Sequence, residues 1–186
     1  KGCYPQLALN VFEPLMPHDY QSDLEIISKP LDWLGINYYT RSLVKSKISE
    51  DGISYDCHRG SLKTTDMGWE FYPEGLDYFI NRIHQEYDEK IPIYITENGM
   101  ANNDKINSQG DVEDLDRIEY FHLHLQVILE NLKKGIQLKG YFAWSLLDNY
   151  EWSFGYKKRF GLVHVNYEDF SRNPKSSFKE FQKYLS

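Results

Sequence analysis

Three short apolar runs alternate with helical patterns along the chain, and this order restricts the fold more than any other feature. The runs cover residues 31–40, 91–99 and 138–148, and helical patterns cover residues 73–90 and 111–135. Strand and helix alternating in this way predict a parallel sheet with right-handed crossovers. The functional loops of such a sheet follow the carboxyl ends of its strands. We therefore expect the site at the polar ends of the three runs.

The run at residues 91–99, IPIYITENG, predicts a strand with a packed body and an end on an open face. Isoleucines alternate with tyrosine and threonine, and the branched and aromatic residues favour strand. Glu97 stands where the apolar alternation ends. From the pattern alone, this carboxylate is either a charged strand terminus or a working group.

The remaining segments are less regular. Residues 41–49 predict a short extra strand, whereas residues 50–73 are rich in turn formers and predict a long loop. Such a loop is uncommon in a compact domain unless it serves a site. Residues 160–177 predict a hairpin and residues 177–185 a final amphipathic helix. No stretch of the sequence predicts a domain boundary.

Charge and cysteine content exclude several classes of partner. The net charge is −7 with no basic stripe, so we expect neither nucleic acid nor an anionic membrane surface as a partner, and an uncharged substrate fits better. No apolar run approaches the length of a membrane span. Two cysteines cannot form a disulfide framework, which favours the cytoplasm over secretion. Because the sequence opens at Lys1, we expect any targeting information to lie upstream.

The histidines predict no metal site. His122 and His124 are two positions apart on a predicted helix and do not share a face, and the other four are scattered. A solvated or capping role is the better interpretation of each. No phosphate-binding glycine loop is legible either, so we expect neither a metal nor a cofactor.

Three motifs in order resemble one known family. GINYYT at 35–40, YITENGM at 94–100 and GYFAWSLLDNYEWSFGYKKRFGLVHVNY at 140–167 resemble the carboxyl-terminal part of the family 1 glycoside hydrolases. These are retaining enzymes of the β-glucosidase family with a (β/α)₈ barrel. The resemblance implies that residues 1–186 form an α/β segment without an internal boundary, the last three strand–helix units of such a barrel.

The resemblance also implies roles for two residues at strand ends. It makes Glu97 the nucleophile and Tyr39 the hydroxyl that orients it, although either residue taken alone would more simply be a surface acid or a buried tyrosine. Asn37 falls two positions before Tyr39 and suits a polar wall beside it, with strand-end capping as the alternative. Asn98 and Gly99 are expected to form the tight turn that exposes the carboxylate.

Sugar recognition is implied by WSLLDNYEW and the residues after it. By resemblance, Trp144 stacks under the glycone, Glu151 accepts hydrogen bonds from two hydroxyls, and Trp152 donates its indole N–H to a third. Phe160 is similar to a residue that closes the same pocket. Without the motif, each would be interpreted as core packing or, for Glu151, a solvated acid.

Glu151 also separates two branches of the resembled family. The branch that hydrolyses 6-phosphoglycosides typically has serine at this position, with lysine and tyrosine following to hold the phosphate. Lys158 matches that lysine, but Glu151 and Phe160 depart from the pattern. A carboxylate would repel a phosphate, so we expect a β-glucosidase acting on an unphosphorylated β-glycoside.

The general acid of the family is not found in this sequence. It is a glutamate in an Asn-Glu-Pro motif, and the FEP at 12–14 lacks the asparagine and lies in a loop-like stretch. We therefore expect the chain alone to be inactive and its partner to be the amino-terminal part of the barrel. A non-catalytic carbohydrate-binding or interaction module is the alternative from another class.

Overall fold

The computed structural model describes residues 2–49, 52–87 and 90–185. Two compact units contain them, Lys1–Asp32 and Trp33–Ser186. The absence of an internal boundary stays a prediction, and each unit is described by itself.

The first unit consists of short helices. Helix α1 covers Gln6–Phe12, a 3-10 helix covers Glu13–Leu15 and helix α2 covers Tyr20–Ile27. The loop-like stretch expected around Glu13 is therefore helical. Pro14 occupies the first turn of the 3-10 helix, where the lack of an N–H removes no hydrogen bond of the helix.

The second unit holds the sheet and three longer helices. Its strands are β1 Leu34–Asn37, β2 Leu43–Ser49, β3 Gly52–His58, β4 Ile93–Asn98, β5 Leu138–Ala143, β6 Val163–Val165 and β7 Arg172–Pro174. Its helices are α3 Pro73–Glu86, α4 Leu115–Lys133 and α5 Ser176–Tyr184. No helix of the described ranges has the length and apolar character that a bilayer span requires.

The three predicted strands form a parallel sheet in the order β1-β4-β5. The ladder aligns Ile36 with Ile95 and Ile93 with Leu138. The β1–β4 ladder is irregular near its carboxyl end, and the β4–β5 ladder is irregular near both ends. The predicted alternation of strand and helix is confirmed, and the strand ends lie side by side.

Alternation within the strands explains which side chains form the core. Ile93 and Ile95 are almost fully buried and pack with Leu76 and Ile80 of α3. A second cluster lies under the strand ends and joins α4 to α5 through Phe71, Met100, Tyr120, Phe121 and Leu162, with Phe178 and Phe181 packed against it. The strand ends therefore rest on packed aromatic side chains.

One predicted loop is wrong in its first part. Strand β3 lies within the range 50–73 and pairs antiparallel with β2, which confirms the extra strand but replaces the start of the expected loop. The described side chains of β3, from Ser54 to His58, are exposed, so no buried periodicity marked it. The predicted hairpin is β6–β7, and the predicted final helix is α5.

A buried network of charges joins the loops that follow β4 and β5. The Lys175 ammonium donates to Asp104 at 2.5 Å and to Asp148 at 2.7 Å, and Arg117 donates to Asp104 at 2.8 Å. Arg159 donates to Asp148 at 2.6 Å. Burial disfavours the charged form of Asp104, but Arg117 and Lys175 outweigh it and hold the pKa of that carboxyl below its usual value.

Candidate active site

The ends of β1 and β4 bring a tyrosine to a glutamate. The Tyr39 hydroxyl donates to Oε2 of Glu97 at 2.8 Å. Glu97 is the second-to-last residue of β4 and lies opposite Asn37 in the ladder. The Tyr38 backbone N–H donates to the Glu97 carbonyl at 2.9 Å. Tyr39 is the second residue after β1, so this backbone bond holds the neighbouring residue next to Glu97.

Tyr39 is the donor in its hydrogen bond to Glu97. Burial raises the pKa of its phenol, and the hydrogen bond to Glu97 and the charge of Glu97 raise it further. The hydroxyl therefore keeps its proton well above neutral pH.

A cleft of about 330 Å³ opens beside this pair. Six of the residues predicted for the site line it, and they come from the ends of the three strands and the loop after β5. Its walls are Tyr39, Trp69, Glu97, Trp144, Asn149, Tyr150, Glu151, Trp152 and Phe160. Two carboxylates among aromatic faces suit a small polyhydroxylated ligand with apolar ring faces.

Trp144 reaches the cleft because β4 and β5 approach closely at their ends. Its backbone N–H donates to the Asn98 carbonyl at 2.8 Å. An ideal Cβ on Gly99 would lie 1.9 Å from the Trp144 carbonyl oxygen, so a side chain at position 99 would push the strand ends apart.

The turn expected at Asn98 and Gly99 is therefore wrong. Asn98 is the last residue of β4 and is fully buried, with its side chain in hydrogen bonds. Gly99 serves close backbone approach, which is a second use of glycine that the sequence does not distinguish from a turn.

The Glu151 side chain is presented by a tight loop. The Glu151 N–H donates to the Gly155 carbonyl at 2.7 Å, and a 3-10 helix covers Trp152–Phe154 between them. Trp152 has φ of 39°, a left-handed conformation that is uncommon for a large side chain and clusters at functional sites. Its side chain is 81% exposed at the rim of the cleft.

The surroundings of Glu151 in the cleft shift its pKa. Burial raises the pKa of Glu151, and the charge of Glu97 raises it further. Glu151 therefore takes up a proton at a higher pH than a solvated glutamate.

An aromatic wall closes the cleft behind Tyr39. Phe160 is buried, with its ring centroid 6.1 Å from Tyr39 in an edge-on contact, and the Trp69 ring lies 5.5 Å from Tyr39. Trp69 is not among the predicted site residues. It stands in the turn-rich stretch before α3, and that long loop was the only sequence signal for it.

Asn37 is the predicted site residue that does not line the cleft. Its side-chain oxygen accepts a hydrogen bond from the Thr96 hydroxyl at 2.7 Å, across the β1–β4 ladder. This contact ties neighbouring strand ends, and the polar-wall role of Asn37 stays a prediction.

Two histidines differ from their expected solvated role. His124 is fully buried on α4 and His164 is buried in β6. Burial lowers the pKa of His124 to about 4, so its ring is neutral. Among the residues with described positions, no group of three or more His, Cys, Asp or Glu side chains has a metal-binding arrangement.

Comparisons with known proteins agree on one family. The sequence profile of the family described as Glycosyl hydrolase family 1 matches this chain over residues 1–186. Beta-glucosidase A of Thermotoga maritima is 40% identical over 177 residues, which cover 95% of this chain and 39% of that protein. A 6-phospho-beta-galactosidase of Clostridium acetobutylicum is 34% identical over 210 residues, covering 98% of this chain and 44% of that protein.

A solved structure extends the similarity to the fold. The family 1 β-glucosidase of Thermotoga maritima in complex with isofagomine lactam matches with a TM-score of 0.91 and 38% identity, over 100% of this chain and 41% of that chain. The chain thus spans about two fifths of the length of these relatives. The predicted fold class, part of a (β/α)₈ barrel, is confirmed.

Proposed function

Because the chain belongs to glycosyl hydrolase family 1, as its motifs predict, we propose that it carries the nucleophile half of a retaining β-glucosidase site. The observation that carries this proposal is the 2.8 Å hydrogen bond from Tyr39 to Glu97 on the wall of an aromatic cleft. The rest of the barrel supplies the other half.

In the proposed reaction, Glu97 attacks the anomeric carbon of a β-D-glucoside. A bond forms between a Glu97 oxygen and that carbon, while the bond from the carbon to the leaving oxygen breaks. A second carboxyl group, about 5 to 5.5 Å away in retaining enzymes, protonates the leaving oxygen and then activates the water that releases the sugar. That group comes from the amino-terminal part of the barrel.

The cleft walls supply the proposed contacts to the sugar. Trp144 stacks on the ring, Glu151 accepts from two hydroxyls and Trp152 donates to a third, while Phe160 closes the pocket. Glu151 lies close enough to Glu97 for the two charges to interact, which supports one ligand bridging both.

An unphosphorylated sugar fits this cleft better than a 6-phosphosugar. The Lys158 ammonium, which matches the phosphate-binding lysine of the alternative branch, is paired with Asp66 at 3.0 Å. Glu151 would face the phosphate with a like charge. Both observations favour the β-glucosidase activity over the activity named for the Clostridium relative.

Replacing Glu97 with Gln tests the nucleophile. In the full polypeptide that contains residues 1–186, we expect hydrolysis of aryl β-glucosides to fall by on the order of 10⁴- to 10⁶-fold, as when other covalent nucleophiles are removed. A 2-deoxy-2-fluoroglucoside with a dinitrophenolate leaving group reacts without a general acid. In the polypeptide that retains Glu97, this reagent should therefore attach a fluoroglucosyl group to the peptide that holds Glu97, which mass spectrometry detects.

The control is Glu113→Gln, which changes an exposed glutamate outside the cleft lining and should leave labelling unchanged. Labelling of another residue, or hydrolysis that survives Glu97→Gln, would contradict the proposal. Tight binding of a glucose analogue without any labelling would favour the carbohydrate-binding module instead.

A further inference from the structure

Behind the proposed nucleophile lies a chain of buried hydrogen bonds that all run in one direction. The Tyr141 hydroxyl donates to Oδ1 of Asn98 at 2.5 Å. Nδ2 of Asn98 donates to the Tyr120 hydroxyl at 3.1 Å, and that hydroxyl donates to the Tyr39 backbone carbonyl at 2.7 Å. The side chain of Tyr39 then donates to Glu97.

The direction of this chain is fixed by its chemistry. Nδ2 of Asn98 also donates to the Tyr38 carbonyl at 2.7 Å, and a carbonyl can only accept. The amide oxygen of Asn98 must therefore face Tyr141. Burial raises the pKa of the Tyr120 and Tyr141 hydroxyls, so both keep their protons and act as donors.

We propose that Tyr120 is a positioning residue of the site. Its hydroxyl holds the backbone at Tyr39, and that backbone sets where the Tyr39 phenol meets Glu97. The role rests on the proposed function, because it acts through the nucleophile pair. Tyr120 itself does not line the cleft.

The Tyr120 ring has no freedom to move away. It is fully buried, stacked on His124 with 4.0 Å between ring centroids, and edge-on to Phe71 at 5.3 Å. His124 also bonds through Nδ1 to the Tyr120 carbonyl at 2.8 Å, and since a carbonyl accepts, Nδ1 is the donor. Helix α4 therefore fixes the position of the Tyr120 hydroxyl relative to the end of β1.

A neighbouring tyrosine provides a matched control. Tyr38 is also buried, and its hydroxyl donates to a backbone carbonyl, that of Tyr72, at 2.5 Å. This bond leads away from Glu97. Tyr38→Phe removes the same group from a similar environment and keeps the backbone contacts of Tyr38 with Glu97 and Asn98.

The test is a double-mutant cycle in the full polypeptide, with Tyr120→Phe, Tyr39→Phe and both together. We expect Tyr120→Phe to lower kcat for an aryl β-glucoside by about 10-fold, within the range for residues in one network, with little change in KM. In the Tyr39→Phe background the same change should have almost no further effect, because the hydroxyl that Tyr120 positions is already gone.

Additive effects of Tyr120→Phe and Tyr39→Phe, or an equal loss of kcat in Tyr38→Phe, would overturn the positioning role. Should Tyr120→Phe fail to fold, Tyr141→Phe enters the same cycle, with a smaller loss of kcat expected. Failure of the proposed function is distinguishable, because hydrolysis would then survive Glu97→Gln or be absent from the unsubstituted polypeptide.

Discussion

Glu151 gives the cleft a dependence on pH at the scale of a single residue. In the proposed function, the Glu151 carboxylate accepts hydrogen bonds from sugar hydroxyls, and protonation makes it a weaker acceptor. Burial and the charge of Glu97 raise the pKa of Glu151 above the usual glutamate value of about 4.3. Glu151 therefore takes up its proton at a higher pH. We expect the affinity for a neutral glucose analogue to fall as the pH is lowered through this raised pKa.

Calorimetric titration with isofagomine lactam over the acid range measures this fall in affinity. Glu151→Gln should bind more weakly at neutral pH, because it lacks the ionised acceptor, and its affinity should change far less on acidification. An equally steep acid dependence in Glu151→Gln would assign the titration to another group.

Single residues were predictable where a local pattern marked them. Glu97 ends an apolar alternation, and Tyr39 stands in a motif at the preceding strand end. Trp69 and Tyr120 carry no such mark, since a tryptophan in a loop and a tyrosine on a helix are both ordinary core candidates. What assigns them to the site region is contact across the fold, at separations in sequence that no periodicity spans.

At the scale of elements, Lys175 joins the start of α5 to the loops after β4 and β5. It is fully buried with two carboxylate partners, so Lys175→Met leaves Asp104 and Asp148 short of a counter-charge. We expect the free energy of unfolding to fall by about 3–5 kcal/mol, the usual cost of removing one partner from a buried pair. Urea denaturation measures the change.

Lys179→Met is the matched control on the same helix. Lys179 is 65% exposed and lies 3.7 Å from Asp111, a surface pair for which a cost of about 0–1 kcal/mol is usual. Equal losses in the two variants would mean that the buried network contributes no more than a surface pair.

Elements with a buried face were the ones that the sequence predicted. Strand β4 and helices α3 and α4 bury residues at their expected period, whereas β1, β5 and α5 each bury one residue fully and pack others partly. Strand β3 has no such face among its described side chains, so propensity and turn formers pointed to a loop. Its pairing with β2 comes from backbone hydrogen bonds that leave no periodic trace.

At the scale of the whole molecule, the sheet ends in two open edges. Within the part of the chain that the structure describes, β1 and β5 each pair on one side only. One face of the sheet also exposes Trp33 and Phe142, which line an apolar hollow of about 270 Å³ with Tyr94 and Thr96. Such edges and faces promote association.

We therefore expect residues 1–186 alone to self-associate as concentration rises. Adding the amino-terminal part of a family 1 barrel should suppress this by covering both edges. Sedimentation velocity over a concentration series measures the distribution of species, with the amino-terminal part of an unrelated (β/α)₈ barrel as the control. A monomer at all concentrations would contradict the expectation.

The close approach at Gly99 bears on how such sites are inherited and recombined. Strand β4 and the residue that follows β5, Trp144, meet without room for a Cβ on Gly99. Backbone bonds join Tyr38 to Glu97 and Trp144 to Asn98. A crossover between two homologous genes within residues 34–144 would combine strand ends from two parents whose contacts had not evolved together. A crossover upstream of Trp33 would transfer all three strand ends from one parent.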